Sequence, residues 1–395
     1  MAHLPDAPLP HPLAALPGTM DGLPTEAGAG IISEIHEFTV PAFAEAALER
    51  LYGSMYASLR HLQLCEAAQP LPHSWVAYRR GEIIGVLLFR MRGVQAVVLT
   101  EMFALSAEVA EEFCRALFSR FAYAQSVCFN AVVLPAPLPR LPAQTAAFSE
   151  NYVITLPDSV DRYLAALGKS TRRTLRGYGN RLQRELPGLR WEARPASELR
   201  ADELRRLVRQ LQAFKRDSMA ARGKRAELSL RDTARLLALV SERGIVGTAS
   251  ADGRLCAGSL ACRFGDNYVM LLAAADPALE SYRLGMLCCY WSVCDCVRDG
   301  ARECHLLWGR YQYKRQLLGV PHALHRVLVY RSLLRMLLSP PTVLAMAWLQ
   351  LRYRVRDWLL GDPQEGAAGL SWLALAGARA RQAVPESWRR WRKRA

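Results

Sequence analysis

The run from residue 249 to 319, above all SYRLGMLCCYWSVCDCVRDGARECHLLWGRYQYKRQLLG over 281–319, constrains the fold more than any other stretch. Residues 245–251 and 255–264 are apolar alternating runs, ended by Asp252-Gly253 and by Gly265-Asp266-Asn267, so they read as strands joined by tight turns. A third strand, 268–275, stops at Asp276-Pro277, because proline cannot donate to a ladder and restricts the residue before it. Leu284, Leu287, Cys288, Trp291 and Cys294 then recur at helical spacing over 284–297, and Arg298-Asp299-Gly300 closes the helix. Residues 304–308 form a short buried strand, and Gly309 turns the chain into a second helix over 311–318. Strand, strand, strand, helix, strand, helix is the order of an α/β (α+β) domain with a mixed, mostly antiparallel sheet flanked by helices.

The start of the central helix has a mechanical meaning. An N-terminus offers unpaired N–H groups and a positive dipole end, so it can hold a phosphate, and Gly285 permits close approach to the backbone. Arg283 adds a charge-assisted contact. The same Arg-x-Gly is also compatible with an ordinary helix start.

Three stretches together carry a family resemblance: YLAALGKSTRRTLRGYGNRL over 163–182, Tyr282-Arg283-Leu284-Gly285 before the central helix, and Gly309-Arg310-Tyr311-Gln312-Tyr313-Lys314 after the last strand. In order and spacing, residues 163–320 resemble the GNAT-type acyltransferases of the cellulose- and exopolysaccharide-associated CelD/BcsL-like group, distant relatives of the FemAB peptidyltransferases. The resemblance implies acetyl-CoA or another acyl-CoA as co-substrate, bound by Tyr282, Arg283, Leu284, Gly285 and the backbone near Ala273. It also implies a carbohydrate or glycan-lipid acceptor and a place in exopolysaccharide or cellulose biosynthesis. The sequence departs from the general Q/R-x-x-G-x-G/A phosphate loop: Arg283 and Gly285 stand one residue too close, and no second glycine follows.

Acyl transfer from a thioester requires an oriented nucleophile, a base, an oxyanion donor and an acid for the departing thiolate. Backbone N–H groups over 271–275 suit the oxyanion, provided that the third and fourth strands splay. Tyr313 is the first choice for the acid, with Tyr311 and Tyr282 behind it. Lys314 and Arg310 can hold an anionic acceptor or the cofactor phosphates. Glu303 and His305 share a face of their strand, and an ordinary imidazole is the side chain that changes charge nearest working pH, which makes His305 the candidate base, although a structural histidine reads the same way. Trp308, Arg310 and Tyr311 are assigned to the acceptor, together with Arg172, Arg173 and Arg176 on the basic face of a helix capped by Ser170 or Thr171. No Ser-His-Asp arrangement, Walker loop or HExxH spacing points to other chemistry.

Residues 1–30, rich in Pro, Ala and Gly, read as a disordered tail without the features of a secretion signal. Residues 31–149 repeat the strand order of the second half: a helix over 43–59, strands at 75–78, 83–90 and 95–100, a helix over 107–121 and a strand at 126–134. Two tandem GNAT-like domains are therefore expected, the first degenerate because Ala104-Leu105-Ser106 replaces the Arg-x-Gly, with the Pro-rich run 135–139 as the boundary. The second domain spans 150–331, opening with a short strand at 153–156 and a helix to 167 capped by Ser159, with covering helices at 201–222 and 230–243. Ten cysteines in mostly apolar settings read as reduced core residues in a cytoplasmic protein, and their spacing fits no metal site.

A formal charge of +15 favours an anionic partner such as a CoA-type cofactor, an acidic membrane surface or a nucleic acid. Residues 332–395 read as a basic amphipathic tail. The interrupted apolar run 333–351, bordered by Trp348, Trp358, Arg352, Arg354 and Arg356, suits an interfacial helix at the inner face of the cytoplasmic membrane, and Trp388 to Arg394 repeats the theme. Two other readings stay open: a non-catalytic binding subunit of an exopolysaccharide assembly, and FemAB-like aminoacyl transfer from tRNA.

Overall fold

The computed structural model describes residues 30–66, 69–135, 138, 141–221, 223 and 230–360. The first half runs β1 (Ile32–His36), α1 (Ala44–Tyr52), a 3₁₀ turn (Met55–Ala57), α2 (Leu59–Cys65), β2 (His73–Arg79), β3 (Glu82–Arg92), β4 (Gln95–Val98), α3 (Ala107–Arg120) and β5 (Ser126–Val132). The second runs β6 (Ala143–Thr155), α4 (Val160–Ala166), α5 (Lys169–Glu185), β7 (Arg190–Pro195), α6 (Ala201–Ala221), α7 (Leu230–Arg243), β8 (Gly244–Ala251), β9 (Arg254–Phe264), β10 (Asn267–Ala275), α8 (Leu284–Arg298), β11 (Glu303–His305), α9 (Gln312–Gln316) and β12 (Val320–Tyr330). Helices α10 (Leu333–Leu337) and α11 (Pro340–Leu360) follow. Residues 1–29 of the expected tail 1–30, and residues 361–395 of the expected basic tail 332–395, lie outside the described residues.

All the described strands join one sheet, ordered β1-β2-β3-β4-β5-β12-β6-β11-β10-β9-β8-β7. The halves repeat each other in outline. Each has an antiparallel run ending in a parallel pair three residues long, β4 with β5 and β10 with β11, and a helix, α3 or α8, connects the parallel strands. At the seam β12, from the end of the second half, lies between β5 and β6, and β6 lies between β12 and β11. The boundary drawn after residue 149 falls inside β6. β1, β7, β12 and the first ten residues of β6 lie outside the strands expected from sequence.

Helices cover both faces of the second half. Leu175 and Leu182 of α5 join Leu287, Cys288 and Val293 of α8 in one core against Tyr152, Ile154, Tyr268 and Cys304. Leu204, Val208 and Leu211 of α6 and Leu239 and Val240 of α7 fill the other face against Val246, Leu260 and Val269. The expected helices at 201–222 and 230–243 are thus α6 and α7. The Ser159 cap forms as expected, its hydroxyl accepting the N–H of Arg162, and Ser106 caps α3 in the same way, accepting the N–H of Val109. Helix α5, by contrast, begins after Gly168 without a side-chain cap, so Ser170 and Thr171 lie inside its first turn.

The single helix expected over 43–59 is broken, and the break has a tertiary cause. Gly53 ends α1 with φ +51° and Ser58 caps α2. A Cβ at Gly53 would lie 2.4 Å from Nδ2 of Asn267, the atom that donates a 3.2 Å hydrogen bond to the Gly53 carbonyl. The turn therefore fits the first half against β10 of the second. Ion pairs Arg60–Glu242 and Arg243–Glu49 reinforce the contact. Gly53→Ala is expected to cost about 2 kcal/mol in a urea titration, through left-handed strain and the displaced Asn267. Gly81→Ala, at φ +81° with open space around its Cβ, meets the strain without the clash and should cost less.

Candidate active site

The site begins where β10 and β11 part. They pair only through Asn267, Tyr268 and Val269 with Glu303, Cys304 and His305. Beyond that point β10 stays with β9 through a bulge between Met270 and Leu272, while β11 stays with β6, and Leu306 N–H reaches Tyr152 O at 2.7 Å. The bulge turns both Leu271 and Leu272 to the α6 face, and Ala273 packs on the α8 face. The third and fourth strands of the central run thus diverge beside the start of α8.

Helix α8 starts at Leu284 with no side-chain cap, and Arg283 before it adopts φ +53°. A Cβ at Gly285 would meet nothing within 4 Å, so space lies open at the first turn. The Arg283 side chain is exposed. Tyr282 is turned away from the opening: its hydroxyl donates to Glu185 at 2.8 Å and Arg181 lies 4.7 Å over its ring. Arg181 and Glu185 belong to the far end of α5, whereas Arg172, Arg173 and Arg176 are exposed near its beginning, more than a turn away.

Cys289, one turn into α8, meets α9. The Tyr313 hydroxyl lies beside the Cys289 thiol, and burial raises both, the thiol to about 12. Lys314 is buried, with 2% of its surface exposed. Its ammonium donates to the carbonyls of Leu307 at 3.0 Å and Trp308 at 2.7 Å, and lies 5.2 Å from the Tyr152 ring centre. Burial lowers it to about 8, and Lys215 of α6, close enough to repel it, pushes the same way. Lys314 therefore pins the turn after β11, where Leu307 has φ +58° and Gly309 φ +99°. This turn presents Trp308 and Tyr311, 52% and 41% exposed.

Arg310 points elsewhere. It clasps Glu150 through two 2.8 Å hydrogen bonds and pairs with Asp357 of α11 at 2.7 Å. His305 is buried on the α6 face: Asn151 Nδ2 lies 2.9 Å from its Nδ1, and Glu303 lies 3.2 Å from its Nε2. The contact with His305 holds Glu303 below the usual carboxylate range. Glu303 and His305 do share a face, as the strand period requires.

One side chain that the sequence left unmarked faces the seam. Glu101, just past β4, donates its backbone N–H to Tyr56 O at 3.1 Å, and its carboxylate accepts no hydrogen bond among the described residues. Burial raises it to about 7, against the pull of Arg326 and with the push of Glu66. Tyr56 connects it to the other elements, its ring centre 5.7 Å from Trp308 and 4.9 Å from His61. Glu101 follows a strand and precedes Ser106, a signal that has meaning only once the halves are superposed by their shared topology. No cluster of three His, Cys, Asp or Glu suited to a metal occurs among the described residues.

Residues 169–315 match the family model described as an acetyltransferase (GNAT) domain. A structure titled FemX has the same fold over 74% of this chain and 96% of its own, at 10% identity and a TM-score of 0.55. L-PGS from Bacillus licheniformis aligns over 68% of this chain and 86% of its own (14% identity, TM-score 0.42). A tandem GNAT protein from the clavulanic acid biosynthesis pathway aligns over 75% and 98% (13%, 0.38). No curated protein matches the sequence. The chain thus contains a GNAT-type acetyltransferase domain within a fold built of two GNAT-like halves, and the match to that domain supports an acyltransferase.

The depressed lysine sets a pH dependence. Below about 8, Lys314 is charged in both the folded and unfolded chain and its burial penalty is fully present. Between 8 and the ordinary 10.5 the folded protein gives up the proton first, so stability rises with pH by up to about 3 kcal/mol. Urea titrations of the wild type and Lys314→Met across this range should show the rise only in the former.

Proposed function

We propose that the chain is an acyl-CoA-dependent acyltransferase of the CelD/BcsL-like kind. It acylates an amine or hydroxyl of a carbohydrate-type acceptor, in exopolysaccharide or cellulose biosynthesis, in the cytoplasm at the inner face of the membrane. The observation that carries this reading is the parting of β10 and β11 beside an uncapped α8 with open space at Gly285. The residues fit such a co-substrate. The first-turn N–H groups and Arg283 suit an anionic phosphate group, and Ala273, Cys289 and Tyr313 belong to the core that α8 packs in.

Acyl-CoA, when bound, supplies a thioester-activated acyl group. Backbone N–H groups past the bulge at Leu271 stabilise the oxyanion. Tyr313, kept protonated by burial, gives a proton to the departing thiolate. Lys314 orients this end of the gap by holding the carbonyls of Leu307 and Trp308. On the other face Trp308 and Tyr56 form an aromatic pair suited to a sugar ring, and Tyr311, stacked on Tyr313, is exposed in the same turn as Trp308. Glu101, rather than the enclosed His305, is the better-placed base for the acceptor's proton, because its carboxylate accepts no competing hydrogen bond from a described residue. The basic face of α5, with Arg172, Arg173 and Arg176, serves as an approach for anionic substrate.

Calorimetric titration with acetyl-CoA tests the reading. Arg283→Ala should weaken binding about tenfold, and Gly285→Ile, which the protein itself can accommodate, should abolish it. Absence of binding to the folded wild type, with either acetyl-CoA or a longer acyl-CoA, would sink the proposal in favour of a binding subunit or a tRNA-dependent transferase. With turnover established, Glu101→Gln should lower it about 100-fold and remove an ascending limb near pH 7, since the base works only deprotonated.

A further inference from the structure

We infer that α10 and α11 form a docking surface for an anionic phospholipid bilayer, with a headgroup site in a cavity at its edge. Helix α11 has two different faces. Val343, Met346 and Leu349 pack on Cys128, Ala146, Leu328 and Tyr330, and the Gln350 side chain accepts the Ala147 N–H at 2.7 Å. The helix is therefore held on the β6–β12 seam and is not itself embedded. Its opposite positions, Leu344, Trp348, Leu351, Val355 and Trp358, follow three- and four-residue spacing and are each at least 45% exposed. Arg352 and Arg354, both exposed, fall on the two shoulders of this stripe, about 80° to either side at 3.6 residues per turn.

The stripe continues into Leu333, Leu334, Leu337 and Leu338, each at least 63% exposed. Nine of the eighteen exposed large apolar residues among those described thus lie on these two short segments, which makes them a patch rather than scattered surface residues. At the α10 end lies a cavity of about 490 Å³ lined by Tyr123, Gln125, Arg331, Ser332 and Arg335. Arg331 is anchored there by its bonds to the carbonyls of Ala122 and Ala124. Arg335 is exposed, and its guanidinium makes no hydrogen bond or ion pair with a described residue. Two guanidiniums in a cavity beside exposed leucines match a phosphate headgroup whose acyl chains meet an apolar surface.

Charge selects the occupant. A second copy would bring the arginine shoulders of two chains, each formally +15, against one another, and residues 361–395 are themselves basic. An anionic bilayer complements both the stripe and its rim. No described helix is long and apolar enough to cross a membrane, and docking of this kind requires none.

Cosedimentation of the full-length chain with vesicles tests this independently of acyl transfer. Binding is expected to phosphatidylglycerol–phosphatidylcholine vesicles and at least tenfold more weakly to phosphatidylcholine alone. The double variant Leu337→Asp, Trp348→Asp should lower binding at least tenfold with unchanged circular dichroism, and Arg335→Glu should reduce the preference for phosphatidylglycerol. The proposal is overturned if the wild type stays in the supernatant. It is equally overturned if the double variant binds as the wild type does, which would place the contact elsewhere in the chain, or if the wild type is a dimer that the double variant splits.

Discussion

The pairing of β6 with β12 is the constraint on which the rest depends. These two long strands exchange hydrogen bonds along ten registered positions, and each also completes a neighbour: β12 satisfies the free edge of β5, and β6 that of β11. Unpaired strand edges are costly when buried, so the first half cannot close its sheet without β12 of the second, and β11 would be left open without β6. The same pairing also produces the opening. β11 is only three residues long and its neighbour on one side is β6, so it follows β6 away from β10 once the Val269–His305 pair is passed. The gap beside α8 is thus a consequence of how the halves are joined.

The same seam collects the buried polar groups. Glu150, 5% exposed, is clasped by Arg310 and approached by Arg356 at 3.7 Å and the Tyr353 hydroxyl at 3.4 Å. Although burial opposes the charge, its hydrogen bonds to Arg310 keep this carboxylate below the ordinary range. The pair is a charged bridge whose separation would leave an uncompensated charge in the interior. It links β6, the turn that displays Trp308 and Tyr311, and the last turns of α11. A surface helix and the candidate site therefore share one electrostatic anchor. Lys314 does the same for the other end of the turn, holding carbonyls in a backbone that Leu307 and Gly309 force into the left-handed region.

Much of the second half was legible in the chain because its signals are local. Asp252-Gly253 and Gly265-Asp266 set the hairpins, Asp276-Pro277 ended β10, and the stripe from Leu284 to Cys294 gave α8. The repeated order of strands gave the two halves, and Tyr313 and Lys314 stood out at the end of their motif. Arg310 was legible as a charge near the site, yet its partners Glu150 and Asp357 lie far away in sequence, and only the fold shows it to be engaged with them.

By itself, then, the sequence determined the order of strands and helices from β8 to α9, the period of their buried faces and the glycines that turn the chain there, since all of these are written within a few residues of one another. The tertiary structure decided what needs contacts distant in sequence. It inserted β12, whose Pro321, His322 and His325 hide its strand pattern, between β5 and β6. It broke the first helix at Gly53 to admit Asn267, and it raised Glu101 by burying a carboxylate that looks ordinary in sequence. Burial and long-range pairing are properties of the packed chain, and no local pattern encodes which solvent-facing residue the second half will cover.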